Sequence, residues 1–89
     1  MAEVRLDAML RVYGPRAPLS SSAESVDALI DELEGRFPRL RHRIRDETRQ
    51  LRPFVKVFVN GEELPREGVG ARRLAGSDSI DILHSIQGG

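Results

Sequence analysis

Hydrophobic and polar residues alternate along the first dozen residues of the chain. Every second position is apolar from Val4 to Val12, and a period of two predicts a β-strand with one buried face. Gly14-Pro15 then marks a turn. Arg16 to Ser20 is predicted to return as a second, weaker strand, and Pro18 suits a position at the sheet edge.

A helical period follows the three serines that come next. Apolar residues recur three or four positions apart, and acidic residues take the other side, which predicts an amphipathic helix. The apolar positions are Val26, Leu29, Ile30, Leu33 and Phe37. Either Ser21, in a capping box with Glu24, or Ser25 can cap the N terminus. Gly35 is predicted to end the helix, and Pro38 prevents easy continuation.

Strand patterns dominate the second half of the chain. Arg39 to Arg52 fits a short helix and an irregular loop equally well, because its apolar residues are sparse among six arginines. Phe54 to Val59 is rich in β-branched and aromatic residues and leads into Asn60-Gly61, which predicts a hairpin. Ile80 to Ile86 alternates again as a final strand. This order predicts a mixed sheet covered on one face by a single helix.

Composition narrows the class of protein. The chain has 89 residues, enough for one domain, and 14 basic residues balance 14 acidic ones. Dedicated nucleic-acid binders usually carry a strong basic excess, so no nucleic-acid partner is expected. The lack of cysteine excludes disulfides and cysteine nucleophiles. No apolar run approaches the roughly 18 residues of a membrane span, so we expect a cytoplasmic protein with no membrane partner.

The last strand and the C terminus carry a family resemblance. Asp78 to Leu83, followed by a short linker and Gly88-Gly89, resembles the end of ubiquitin-like sulfur carrier proteins. These include the molybdopterin synthase small subunit, the thiamine sulfur carrier and the cysteine-biosynthesis sulfur carrier. Val55 to Gly61 resembles the third strand and turn of that family, and Val26 to Leu33 resembles its helix.

Two further segments bear on the branch of the family. The long segment from Pro38 to Pro53 is more similar to the molybdopterin and cysteine-biosynthesis branches than to the thiamine carriers. His84-Ser85 departs from the family pattern, because such carriers often have a proline nearby.

The resemblance implies an α+β, ubiquitin-like β-grasp fold over residues 1–86, with a flexible tail at 87–89. It implies that a ubiquitin-activating-enzyme-like adenylyltransferase uses ATP to adenylate the carboxylate of Gly89. A sulfur donor then converts it to a thiocarboxylate, which delivers sulfur to a biosynthetic enzyme. The chain itself would be a carrier and not an enzyme, with no bound cofactor. Gly88 suits such a tail because glycine permits close backbone approach.

Two other functions remain open. Gly89 could instead be conjugated to target lysines, as in ubiquitin-like protein modifiers. Alternatively, the chain could be a plain binding module with an inert tail.

Strand parity predicts a surface for partners. If Val57, Val59, Ile80 and Ile82 face the helix, then Phe58 and Leu83 lie on the open face of the sheet, and by the same parity Met9 joins them. Three apolar residues on an exposed sheet are candidate docking anchors.

The histidines and arginines are given less specific roles. His42 lacks a matched ligand set, so no metal site is expected. His84 is expected to be a tail residue that contacts solvent or a partner and takes no part in catalysis. Arg36 to Arg52 is predicted to be a solvated loop and not a phosphate or RNA site, because Asp46 and Glu47 interrupt its positive charge.

Overall fold

A computed structural model describes residues 1–84, and its elements follow the predicted order. The strands are β1 (Ala2–Leu6), β2 (Leu19–Ser21), β3 (Val55–Val59), β4 (Glu62–Glu63) and β5 (Ser79–His84), and the α-helix is α1 (Val26–Arg36). The sheet order is β2-β1-β5-β3-β4. The β1–β5 pair is parallel and the other pairs are antiparallel. This arrangement confirms the predicted mixed sheet and single helix.

The core lies between α1 and one face of the sheet. The helix contributes its apolar stripe, and the strands contribute the residues that parity assigned to the inward face. The buried members include Val26, Leu29, Ile30, Leu33, Val57, Val59, Ile80 and Ile82. The predicted inward parity of β3 and β5 is therefore confirmed.

The first strand is shorter than its alternating pattern predicts. β1 ends at Leu6, and the chain enters a 3-10 turn at Leu10–Val12. The Asp7 carboxylate accepts a hydrogen bond from the Leu10 amide at 3.1 Å, which caps this turn. A strand that runs to Val12 is therefore wrong, because local capping by an aspartate outweighs the alternation. Leu10 is still buried, whereas Val12 is exposed.

The second strand starts later than predicted. β2 begins at Leu19, after Pro18, and occupies one edge of the sheet. The predicted edge position is confirmed. The strand spans Leu19–Ser21, whereas the prediction placed it from Arg16 to Ser20.

Helix α1 begins and ends through local hydrogen bonds. Ser25 is the N-cap, and its hydroxyl accepts from the Ala28 amide at 3.1 Å. This contact decides between the two predicted caps. The prediction that Gly35 ends the helix is wrong, because α1 continues to Arg36 and the Phe37 amide closes it by donating to the Leu33 carbonyl at 2.7 Å. Pro38 then starts a short 3-10 turn at Pro38–Leu40.

The segment before β3 is mainly irregular, and the hairpin after it forms as predicted. Beyond the 3-10 turn, this segment consists of turns with an isolated bridge between Arg45 and Leu51. Asn60 and Gly61 have φ values of 52° and 86°, the left-handed conformations that a tight two-residue hairpin loop requires.

The predicted end of the domain lies outside the described residues. Gly88, Gly89 and the proposed boundary at residue 86 all fall beyond His84, so the tail at 87–89 stays a prediction. Within residues 1–84, no helix combines the length and apolar composition needed to cross a membrane.

Candidate functional site at the end of the last strand

The strand that leads toward Gly88-Gly89 lies in the middle of the sheet. Ile82 pairs with Leu6 on one side and with Val57 on the other. Neighbouring strands on both sides hold β5 almost to its end at His84, five residues before Gly89. The predicted reactive carboxylate therefore follows the most enclosed strand of the fold.

Asp7 fixes the end of β5. Its carboxylate accepts one hydrogen bond from the Leu10 amide and a second, at 2.5 Å, from the His84 amide. Its own amide donates to the Ile82 carbonyl at 3.2 Å. One side chain thus ties the end of β1, the turn after it and the last described residue together. No sequence pattern indicates this role, except that the alternating segment includes an aspartate at this position.

His84 is part of the folded domain. Its ring packs on Phe54, with the ring centroids 4.6 Å apart and the planes tilted by 51°. Its Nδ1 atom is buried and has no hydrogen-bond partner in the part of the chain that the structure describes. His84 lies in β5, as the predicted final strand requires, and it is half-buried. The separate expectation that it is a tail residue is therefore wrong.

Phe58 and Leu83 share the open face of the sheet, as parity predicts. Phe58 lies opposite Asp81 and Lys56 lies opposite Leu83, so Phe58 and Leu83 are diagonal neighbours, roughly 7–8 Å apart at their Cα atoms. Leu83 is 36% exposed and Phe58 is half-buried. Their role as docking anchors stays a prediction.

The same face carries charge as well as apolar area. Arg5 donates from Nε and Nη2 to the Asp81 carboxylate at 3.0 and 3.3 Å. Because this pair is exposed on the sheet surface, solvent screens it and it adds little stability.

The placement of Met9 by strand parity is wrong. β1 ends at Leu6, so Met9 is not on a strand and its position follows from the turn that Asp7 caps. Met9 is exposed and lines a groove with His84. Met9 therefore lies near His84 at the end of β5, and this position does not follow from strand alternation.

The groove that Met9 and His84 line is called the basic groove and has a volume of about 290 Å³. Its lining includes aromatic rings from Tyr13, Phe54 and His84, and basic groups from His42, Arg43 and Arg52. The Arg43 guanidinium carbon lies 4.0 Å from the centroid of the Tyr13 ring, and that of Arg39 lies 5.5 Å from it. The groove therefore joins cationic and aromatic groups beside the end of β5.

Arg45 departs from the predicted solvated loop. Its side chain is only 4% exposed, and it donates to Asp27 at 3.2 Å, Asp31 at 2.7 Å and Glu34 at 3.1 Å. Burial opposes its charge, but the hydrogen bonds to Asp31 and Glu34 raise its pKa above the ordinary value. The loop is thereby fastened to α1, and the prediction is wrong at this residue.

Arg49 adds a second contact to the same helix. It donates to both carboxylate oxygens of Asp31, at 3.1 and 3.2 Å. Hydrogen bonds from Arg49 and then from Arg45 hold the pKa of Asp31 below its usual value. This carboxylate therefore favours its charged form in the folded protein.

His42 lies on the surface with a φ of 66°. Within residues 1–84, the His, Asp and Glu side chains form no group of three or more that could hold a metal ion.

Comparisons with known proteins agree with this architecture. The ThiS family model matches residues 10–89. The sulfur carrier protein CysO of Mycobacterium tuberculosis is 30% identical, and the alignment covers 97% of this chain and 96% of that protein.

Solved structures are similar over the same length. A chain in the crystal structure of the Amycolatopsis orientalis BexX/CysO complex superposes with a TM-score of 0.85 and 26% identity, covering all of both chains. The small archaeal modifier protein 1 of Methanosarcina acetivorans has a TM-score of 0.82 and 27% identity, covering 99% of this chain and 95% of that one. The fold, the family match and these similarities together show that this chain belongs to the ThiS family of ubiquitin-like sulfur carriers.

Proposed function

We propose that the chain carries sulfur as a thiocarboxylate on Gly89. A carboxylate oxygen of Gly89 attacks the α-phosphorus of ATP in a separate adenylyltransferase, and pyrophosphate leaves. Hydrosulfide from a sulfur donor then attacks the carbonyl carbon of the acyl adenylate, and the C–O bond to AMP breaks with its electron pair on AMP. The resulting thiocarboxylate donates its sulfur to a biosynthetic enzyme.

The observation that best supports this proposal is the family match, which runs through residue 89. A carrier also needs a rigid base for its reactive end. The pairing of β5 on both sides and the Asp7 contact to the His84 amide provide such a base.

The distance from the base to Gly89 suits delivery into another protein. Five residues follow His84, and an extended chain of that length spans at most about 18 Å. The carboxylate can then enter a buried active site while the domain stays outside. Gly88 and Gly89 have no Cβ atoms, so the entry channel can be narrow.

In this function the chain is a co-substrate of two enzymes. The adenylyltransferase holds ATP, and the chain needs no bound cofactor. The Amycolatopsis relative is found in a complex of CysO with BexX, which supports the proposal that this chain also docks on partner proteins.

Deletion of Gly89 tests the proposal. The truncated chain should lose ATP–pyrophosphate exchange with the cognate adenylyltransferase, because its carboxylate no longer reaches the α-phosphate. Its thermal midpoint should stay equal to that of the full chain, since the deletion lies beyond β5. The full chain recovered from its native host should show the mass gain of sulfur replacing one oxygen. Normal exchange by the truncated chain would contradict the mechanism.

Protein modification is a second candidate function. The similarity to the archaeal modifier protein of Methanosarcina favours it, and the first step at Gly89 would be the same. Lys56, the one lysine of the sequence, lies within β3, which argues against polymeric chains linked through lysine. Mass spectrometry of proteins from the native host would detect Gly89 isopeptides on target lysines, and their absence would exclude this candidate.

A further inference from the structure

We propose that the basic groove beside the end of β5 binds an acidic segment of a partner protein. The groove is the one formed by Tyr13, His42, Arg43, Arg52, Phe54 and His84. That the partner is the enzyme receiving the tail rests on the proposed function. The preference of the groove for a carboxylate-bearing segment rests on the contacts described below.

Positive charge gathers at the groove, and the Asp46 carboxylate, which is near enough to Arg52 to interact with its charge, offsets only part of it. Arg39, Arg43 and Arg52 make no ion pair within residues 1–84, and no Asp or Glu among those residues lines the groove. In contrast, five other arginines pair with carboxylates: Arg5, Arg36, Arg45, Arg49 and Arg73. The nearby Asp7 carboxylate is occupied by two backbone amides. Charge complementarity therefore favours an acidic occupant.

Two of these arginines are held in place before any partner binds. Arg43 stacks on Tyr13, which constrains the guanidinium group and leaves its N–H groups free to donate. Arg52 donates from Nε to the His42 carbonyl at 2.9 Å, and within residues 1–84 its terminal nitrogens make no hydrogen bond. Donors that are already ordered lose less entropy when a carboxylate binds.

His84 supplies an aromatic ring to the lining. Its buried Nδ1 has no hydrogen-bond partner among the described residues, and buried polar atoms without a partner are rare. Because this atom is buried, an occupant of the groove would meet the ring of His84 and not its Nδ1. The groove therefore offers aromatic surface at its lining as well as charge at its rim.

The surroundings favour a short acidic protein segment over a nucleic acid. The open face of the sheet carries the carboxylates Glu3, Asp81 and Glu63 among the bases Arg5 and Lys56, and the whole chain has no net charge. A long polyanion would meet these carboxylates, whereas a few side chains entering the 290 Å³ groove would not. A protein that holds the tail must also lie against this end of the molecule.

The test uses the full ¹⁵N-labelled chain and an acetylated, amidated hexaglutamate peptide at low salt. Amide shifts should concentrate at Tyr13, Arg43 and His84. The double variant Arg43→Glu with Arg52→Glu should bind about tenfold more weakly or worse, because charge reversal removes the attraction. Arg43→Gln, which keeps the Arg52 contact to the loop, should give an intermediate loss.

Arg73→Glu is the matched control. Arg73 is exposed near the start of α1 and does not line the groove, so its reversal should change peptide affinity by less than about twofold. Thermal unfolding of each variant checks that the fold persists. If Arg73→Glu and Arg43→Gln weakened the binding of the peptide equally, the proposal would be overturned. Tighter binding of inorganic phosphate or hexauridylate in the groove would also overturn it.

This experiment is independent of the sulfur chemistry. Peptide binding needs neither ATP nor Gly89, so the chain without Gly89 should bind hexaglutamate as well as the full chain does. A failure of peptide binding would leave adenylation of Gly89 untouched. A failure of adenylation would leave the groove and its ligand preference intact.

Discussion

At the scale of single residues, Arg45 places a positive charge in the protein interior, where charged groups are rare unless they are paired. Its guanidinium group contacts three carboxylates on α1, and those carboxylates are between 18% and 50% exposed. The partly exposed carboxylates keep contact with water, so the cost of burial falls mainly on the arginine. The contacts fasten the loop before β3 to the helix.

Arg45→Ala should lower the free energy of unfolding by about 2–3 kcal/mol, less than for a fully buried pair, because water can solvate the remaining carboxylates. Arg49→Ala is the matched control. Arg49 also contacts Asp31 but is exposed. Its replacement should therefore lower the free energy of unfolding by less than about 1 kcal/mol. Urea denaturation of both variants measures the difference, and equal destabilisation would mean that the burial of Arg45 adds nothing.

At the scale of elements, the junction of β1 and β5 anchors the strand that leads toward Gly88-Gly89. Two parallel strands stop side by side, and the Asp7 carboxylate caps the turn after one and holds the last amide of the other. The contact fastens the strand that leads toward Gly89 to the turn after β1, five residues before the proposed reactive carboxylate.

Asp7→Ala should free the end of β5. The His84 amide should exchange with solvent about tenfold faster or more, which corresponds to about 1.4 kcal/mol. The unfolding free energy should fall by about 1 kcal/mol through loss of the cap. Hydrogen exchange followed by NMR checks this, with Asp81→Ala in the same strand as the control. If the His84 amide exchanges at the same rate in both variants, Asp7 does not hold the end of β5.

At the scale of the whole molecule, the sheet separates a buried face from a face open to partners. The helix and the loop before β3 cover one side, and Phe58 and Leu83 interrupt a charged surface on the other. The basic groove lies beside His84, the last residue of β5. A partner that holds the tail would thus find apolar contacts and positive charge close to the point where the tail leaves.

Leu83→Asp should weaken binding to the adenylyltransferase by about tenfold or more, because the interface would desolvate an unpaired carboxylate. In the free chain the new charge would meet water, so the unfolding free energy should change by less than about 1 kcal/mol. Calorimetric binding and denaturation of the same variant separate the two effects. Ser20→Asp on edge strand β2 is the control and should bind normally. Unchanged affinity for Leu83→Asp would place the interface elsewhere.

Features that depend on neighbours along the chain could be predicted from the sequence alone. Period two identified the buried faces of β3 and β5, and the helical period identified the apolar stripe of α1. Asn60-Gly61 identified the hairpin, because its positive φ values are a property of those two residues. The order of these motifs predicted a mixed sheet covered by one helix, and the resemblance of Asp78 to Leu83 and Gly88-Gly89 to sulfur carriers implied the family and its β-grasp fold.

Features that join distant residues could not be predicted before the folded structure was known. Asp7 and His84 are 77 positions apart, and Arg45 and Asp27 are 18 apart, so neither contact leaves a periodic signal. Met9 does not lie on the predicted sheet face, because β1 ends at Leu6 and Asp7 caps the turn that follows. The basic groove likewise combines the turn after β1, the loop before β3 and the end of β5. Folding brings these segments together through long-range packing, which no local pattern records.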